Sequence, residues 1–302
     1  MLTTGQYATM RGITVGEQKK TLRGADVGIP PRQLDFRLNE EMPRWLYAGN
    51  ATATLFLVVL SGAFPPGEDF FVQSVNRFKH RVTDPTLRAQ VAGFTGQEVI
   101  HSREHDRLND VFRSRDIDVD VPEKAIALAL RLLDLLPARQ RLACTAQMEH
   151  LTALLAEELL SHEDFRTRIH DDLTELWIWH ALEELEHKSV SYEVYETIGN
   201  SRRERVLAEV LVDATIIPAA LVSWIWLVLA EGVWRRPRDI RDGVRMLFGP
   251  GGFVGRIIPR VGVFRKPDFH PDRHDTTALE AEWRERLFGP DGTLRDQLRR
   301  RA

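Results

Sequence analysis

Glutamate and histidine residues recur at helical spacing along this chain, and both residue types bind metal ions. Glu98 and His101 form one Glu-x-x-His motif, and Glu184 and His187 form a second. Residues three apart lie on the same face of an α-helix, so each carboxylate and imidazole can reach a common ion. One such motif is frequent in helical proteins, but two in one chain favour a metal site.

Two further segments each place one glutamate on an otherwise apolar helical face. One face reads Phe64, Glu68, Phe71, Val75, Phe78, and the other reads Leu142, Thr145, Glu149, Thr152, Ala156, Leu159. A buried carboxylate is unfavourable unless it is paired, hydrogen-bonded or bound to metal. Single glutamates from two helices and Glu-x-x-His from two others form the ligand set of ferritin-like dinuclear carboxylate proteins. Glu68 has an alternative interpretation, since a glutamate one turn after Pro66 also favours a helix N-terminus.

Two more histidines extend this set. His180 lies one turn before Glu184, and His105 lies one turn after His101. We predict seven ligands: Glu68, Glu98, His101, Glu149, His180, Glu184 and His187. His105 is predicted either to be a ligand or to hydrogen-bond one. The alternative for the whole set is a buried ion-pair network without metal.

The donor types indicate which ions would bind. Four carboxylates carry about four negative charges, which two divalent cations neutralise. Oxygen and imidazole donors without thiolate favour iron, manganese or zinc over calcium or magnesium. The predicted cofactor is therefore a pair of metal ions, iron first, with manganese or zinc as alternatives. No catalytic residue beyond the ligands can be assigned.

Helix signals dominate the chain and position these residues. Asn50 caps an apolar helix, Pro65 and Pro66 are predicted to break it, and Asp84 with Pro85 opens a helix to about Phe112. Further helices are predicted from Pro122 to Pro137, over about 139–161, from Asp171 to Gly199, over 203–233 and over 278–287.

The predicted fold class is all-α, a ferritin-like helical bundle with additional helices and an irregular C-terminal extension. The expected organisation is a loosely ordered lead-in over 1–34, a metal-binding helical domain over 35–235 and an extension over 236–302 that packs on the bundle.

Composition narrows the function classes. The chain has 302 residues and a formal net charge of -3, which argues against nucleic acid as a partner. Cys144 is the single cysteine, so no internal disulfide forms, and the N-terminus lacks the apolar segment of a secretion signal. A cytoplasmic location is expected, with membrane association as the alternative.

The segment 214–230 is apolar and free of charge, and Pro218 interrupts it. A helix that is apolar all round is typical of a protein core, and this is the preferred interpretation. The alternatives are a peripheral membrane contact or a homodimer through the 203–233 helix, or the wall of an apolar substrate tunnel.

Four segments that contain the predicted ligands resemble the bacterial family of predicted metal-dependent hydrolases. They are 64–68, 96–105, 149–153 and 179–188. The resemblance extends from about residue 35 to about residue 199, and more loosely to 269–271. It implies metal-dependent chemistry and a ferritin-like fold of the di-iron type.

A looser similarity concerns His180, Glu184 and His187, whose spacing is similar to the last ligand helix of the di-iron arylamine N-oxygenases. This similarity implies that His180 is an extra ligand. The leading hypothesis is a di-iron oxidoreductase that activates O₂ to oxidise a small organic substrate, with an unidentified electron donor. The alternatives are a dinuclear metal-dependent hydrolase and a non-catalytic metal-binding protein.

Overall fold

The computed structural model describes residues 21–36, 38 and 42–298, and over this part of the chain the protein is all-α. Its only β pairing there is an isolated bridge between Tyr47 and Ile169. The helices are α1 Ala51–Asn76, α2 Pro85–Ser114, α3 Asp120–Asp134, α4 Ala138–Ser161, α5 Glu163–Arg166, α6 Asp171–His187, α7 Val190–Thr197, α8 Arg202–Ala230, α9 Pro237–Phe248, α10 Phe253–Val261 and α11 Thr277–Phe288.

Helix α1 begins as predicted but does not break at its two prolines. The Asn50 side chain accepts a hydrogen bond from the amide of Ala53 and caps the helix. Pro65 has no N–H, which leaves the carbonyl of Ser61 without its helical donor. Asn109 of α2 donates to that carbonyl at 3.2 Å, so a contact between helices replaces the missing bond. The predicted break is therefore wrong, and Glu68 lies well inside α1 rather than at a helix N-terminus.

Helices α1, α2, α4 and α6 carry the predicted ligands and enclose one interior. Helix α1 packs on α2 and α4, and α6 packs on α2 and α4. Asp84 caps α2 through the amide of Thr86, as the sequence predicts. The helix predicted to run to Gly199 instead ends at His187, and α7 begins at Val190. The specifically ferritin-like arrangement of these helices stays a prediction.

The described part of the N-terminal segment packs closely on α2. A Cβ atom on Gly93 would lie 2.5 Å from the carbonyl oxygen of Ile29, so only glycine allows this approach. Ile29 and Leu34 are buried, and Arg32 between them reaches α6. Residues 1–20 of the expected lead-in lie outside the described residues, and the proposed domain boundaries stay a prediction.

The C-terminal extension is more helical than expected. Over its described residues, 236–298, it contains α11, which the sequence predicts, and also α9 and α10, which it does not. Asp239 of α9 accepts hydrogen bonds from the first amides of α1, Ala51 and Thr52. Trp283 of α11 donates to the carbonyl of Leu160 at the end of α4. These contacts fix the extension to two of the ligand-bearing helices.

Helix α8 lies at the surface, and the expectation that its apolar segment forms core is wrong. Only 17% of its most apolar 18-residue window is buried, against 50% for the corresponding window of Ala51–Arg81. Both segments are long and apolar enough to cross a membrane by length and composition alone. Pro218 lies within α8 and does not interrupt it.

Candidate metal centre

The seven predicted ligand residues converge on one interior volume, and none is more than 4% exposed. Their donor atoms form three overlapping groups, and within each group the atoms lie within 4.8 Å of one another. The groups are Glu68, His101 and His180; Glu98, His101 and Glu184; and Glu98, Glu149 and His187.

The first and third groups share no residue, so the interior offers two separate positions for an ion. Glu184 lies between them, because one of its oxygens is 2.9 Å from Nε2 of His180 and the other is 3.7 Å from Nε2 of His187. A carboxylate that faces both positions has the placement of a bridging ligand.

Most of the converging atoms have no hydrogen-bond partner. Nine such atoms are buried here: both oxygens of Glu68, Glu98 and Glu149, Oε2 of Glu184, Nδ1 of His101 and Nε2 of His187. Nε2 of His187 lies 2.9 Å from Glu98, but the pair lacks the geometry of a hydrogen bond. Buried polar atoms are normally satisfied, so a cluster of this size indicates that a cation completes the site.

The orientation of His187 is set by Gln97. The Gln97 amide nitrogen donates to Glu186 and to the carbonyl of Pro30, so its oxygen faces Nδ1 of His187 at 3.0 Å. Nδ1 therefore carries the proton and donates to Gln97. The lone pair of Nε2 is then directed at the carboxylates of the centre.

His101 is oriented by a carboxylate in the same way. Its Nε2 lies 3.1 Å from Glu183, whose other oxygen accepts from Arg32 at 2.8 Å. Burial raises the pKa of Glu183, but the Arg32 guanidinium opposes this rise and favours the ionised carboxylate. His101 donates to that carboxylate from Nε2, and the lone pair of Nδ1 faces the centre. A carboxylate that orients a histidine in this way is a recurrent feature of metal sites.

A chain of four polar side chains orients His180. Asn109 donates its amide hydrogens to the carbonyl of Ser61 and to Glu123, so its oxygen faces the Ser61 hydroxyl at 2.7 Å. The hydroxyl donates to Asn109 and accepts from Nδ1 of His105 at 3.0 Å. Nε2 of His105 is then an acceptor, and it receives the Nδ1 proton of His180 at 2.7 Å. Both nitrogens of His105 are used, so this residue positions His180 and is not arranged as a ligand.

Three imidazole lone pairs therefore point at four carboxylates. Lone pairs and carboxylates repel unless a proton or a metal ion lies between them. Burial raises the pKa of the Glu68, Glu98 and Glu149 carboxyls. Burial alone would lower the pKa of His187, but Glu98 and Glu184 hold it well above its usual value. The chain alone thus retains protons at positions that a metal ion would take, and the donor set fits the predicted metal ions.

One small pocket reaches this centre at His180 and Glu184. Its volume is about 30 Å³, enough for one or two water molecules, and its remaining lining is almost entirely apolar. The lining comprises Leu60, Phe64, Thr152, Leu155, Ala156, Leu159, Trp177, Ala181 and Phe253. Phe64 and Leu155 of this lining are only partly buried, so the pocket extends from the centre towards the surface.

Comparison with known proteins agrees with this geometry at the level of the family. The model of a family described as "predicted metal-dependent hydrolase" matches residues 30–275, a range that contains all seven predicted ligands. No curated protein and no solved structure matches the chain. The matched range covers most of the 302 residues, and the chain belongs to the family of predicted metal-dependent hydrolases.

Proposed function

We propose that the chain is an enzyme with a dinuclear metal centre and that its reaction is metal-dependent hydrolysis of an apolar substrate. The observation that carries the proposal is the convergence of three imidazoles and four carboxylates in one buried volume, where nine of their polar atoms have no hydrogen-bond partner. The family description supports the metal dependence and favours hydrolysis over the other reaction classes.

In this proposal each ion has its own set of ligands. Glu68, His101 and His180 would hold one ion, and Glu98, Glu149 and His187 would hold the other. Glu184 would bridge them. Two bound ions supply a Lewis acid and a water molecule of lowered pKa, which are the requirements for hydrolysis.

The remaining residues of the site orient the ligands and select the substrate. Gln97, Glu183 and His105 hold the three imidazoles in place through their distal nitrogens. The apolar pocket at His180 would accept only a small apolar group next to the reacting bond and limit the entry of water. We therefore expect an ester or amide with a short apolar acyl group rather than a charged substrate.

A second candidate function is oxidation of a small apolar molecule by O₂ with iron in the centre. The specific observation in its favour is His180, a third imidazole whose Nε2 faces Glu184 at 2.9 Å beside the apolar pocket. Metal identity and oxygen requirement separate the two reactions.

Metal content tests the centre itself. We expect about two ions of iron, manganese or zinc per chain in the purified wild-type protein, and a loss of about half or more in Glu149→Gln. Glu158→Gln is the matched control, because Glu158 is a buried carboxylate on the same helix that contacts His162 rather than the centre. Elemental analysis of folded protein checks this, and full metal content in Glu149→Gln would contradict the ligand assignment.

Turnover tests the reaction. Hydrolysis of p-nitrophenyl acyl esters is expected to proceed without oxygen, to be fastest with short acyl groups such as acetyl and to stop on chelation. If the iron-loaded, reduced protein instead consumes O₂ in the presence of an apolar substrate and hydrolyses no ester, the second candidate replaces the first.

A further inference from the structure

Helix α8 presents a long apolar face to solvent. No charged residue occurs between Asp213 and Glu231, a stretch of 17 residues from Ala214 to Ala230. Exposed residues in this stretch are Ala214, Ile217, Pro218, Leu221, Val222, Ile225, Trp226, Leu229 and Ala230. Val222 is 63% exposed and Ile225 is 55% exposed. The solvent face of a surface helix is normally polar, so this face is built to be covered.

The opposite side of α8 attaches the helix lengthwise to the bundle. Ala208, Val212, Ser223 and Leu227 form its buried stripe, and the helix packs on α1, α3 and α4. The charge-free stretch is about 26 Å long at the rise of an α-helix. A helix held in this way presents one apolar face outward and can lie along a bilayer surface.

Basic residues flank the C-terminal end of this face. Arg235, Arg236, Arg238, Arg241 and Arg245 are all exposed in the turn after α8 and along α9. Among the described residues only Arg241 of these five forms an ion pair, with Asp242. Trp224 of α8 contacts Phe248 of α9, so the arginine-bearing helix lies beside the last turns of the apolar face.

We propose that this apolar face and its arginine rim attach the protein to the surface of an anionic phospholipid bilayer. The side chains of Leu221, Val222 and Ile225 enter the acyl boundary, and the arginines bind lipid phosphates. Trp226 and Trp234 are half-exposed near the rim, where tryptophan suits the headgroup level. The proposal goes beyond the metal-dependent reaction and does not rely on it.

Vesicle sedimentation tests the proposal with the full-length protein. We expect the wild type to sediment with phosphatidylglycerol–phosphatidylcholine vesicles and less with phosphatidylcholine alone. The double variant Leu221→Glu with Ile225→Glu is expected to lower the vesicle partition coefficient roughly tenfold or more, because each substitution replaces apolar contact with charge. Both residues are exposed, so the circular dichroism spectrum and metal content should match the wild type.

Two further variants separate lipid contact from a general charge effect. Val99→Glu introduces the same charge at a 58% exposed apolar position on α2, and it should bind vesicles like the wild type. Arg236→Glu with Arg238→Glu should weaken binding to anionic vesicles selectively, and added salt should do the same to the wild type.

The outcome that overturns the proposal is wild-type protein that stays in the supernatant with anionic vesicles. If that protein is also dimeric in solution, and the Leu221→Glu with Ile225→Glu variant is monomeric, the face joins two copies of the chain. Unchanged vesicle binding by that variant would likewise exclude α8 as the attachment surface.

Discussion

At the scale of single residues, the notable property of the centre is that each inward imidazole has a fixed tautomer. Gln97 accepts from His187, Glu183 accepts from His101, and His105 accepts from His180. Each partner accepts a hydrogen bond from the imidazole nitrogen that faces away from the centre. The other imidazole nitrogen then faces the centre, where a metal ion could bind. A buried ion-pair network would have placed arginine or lysine among the carboxylates, and Arg32 instead pairs with Glu183 and Glu186 outside the ligand set.

Substituting Glu183 tests this orientation. Glu183→Gln keeps the shape of the side chain but removes the charge that favours the metal-binding tautomer of His101. We expect metal affinity to fall about 10–100-fold, as for other residues that orient a ligand. Competition with a chromophoric chelator measures this, with Glu158→Gln as the control. Equal affinity in Glu183→Gln and the wild type would show that His101 is oriented by other contacts.

The metal affinity should also depend on pH, and the direction of the change follows from the pKa values of the buried carboxyls. The raised pKa values of Glu68, Glu98 and Glu149 mean that metal ions must displace protons. Affinity should therefore weaken as pH falls, and binding should release protons. Isothermal titration calorimetry in two buffers of different ionisation enthalpy counts them. Binding with no proton release would contradict the proposed role of these three residues.

At the scale of the elements, glycines on α2 set how closely the N-terminal segment approaches. A Cβ atom on Gly93 would collide with the backbone of Ile29. Arg32 lies three residues further along, so the close approach at Gly93 also places Arg32. Arg32 in turn holds the carboxylate that orients His101. The packing of the short N-terminal segment, which includes a 3-10 helix over Gly24–Val27, therefore affects the orientation of His101.

A pair of glycine substitutions tests this packing. Gly93→Ala should destabilise the fold by about 1–3 kcal/mol, because the backbone of residues 24–31 must move away. Gly67→Ala is the control within α1, where the nearest atom to a new Cβ is 4.0 Å away. The control should be neutral or stabilise by up to about 1 kcal/mol through helix propensity. Urea unfolding measures both, and equal effects would exclude the close packing as the cause.

At the scale of the whole molecule, the centre lies between four helices that come from distant parts of the chain. Helices α1, α2, α4 and α6 each contribute at least one predicted ligand. Without metal, the mutual repulsion of the carboxylates on these helices opposes the packing of the helices. Bound ions would therefore stabilise the fold as well as supply its chemistry.

Removing metal should lower thermal stability, increasingly so at higher pH. Each of the two ions, at about 100 times its Kd, contributes about 2.7 kcal/mol, which corresponds to a Tm shift of roughly 4 °C per ion for a chain of this length. Glu68, Glu98, Glu149 and His187 have raised folded pKa values, so the metal-free fold loses stability as pH rises through them. Burial lowers the pKa of His101 and His105. These two histidines destabilise the fold only below about pH 6.5, where they would be protonated in the unfolded chain. The Tm difference should widen above that pH, and scanning calorimetry of chelated and metal-loaded protein checks it.

The sequence by itself determined which side chains could share a site, because helical periodicity is a local property. The stripes through Glu98, Glu149 and Glu184 predicted one common interior, and the structure brings them together there. The all-α class followed from the same periodicity and is confirmed, whereas the ferritin-like arrangement and the ligand roles stay predictions.

Only the tertiary structure decided the features that depend on contacts between distant residues. Arg32 and Glu183 are 151 residues apart, and nothing local in either segment predicts their pairing. The continuity of α1 through Pro65 required a donor from Asn109 on another helix. The exposure of α8 could not be predicted either, because an apolar helix has the same periodicity whether protein, lipid or a second chain covers it. Local spacing specifies a helical face, but its neighbours are specified by the packing of the whole chain.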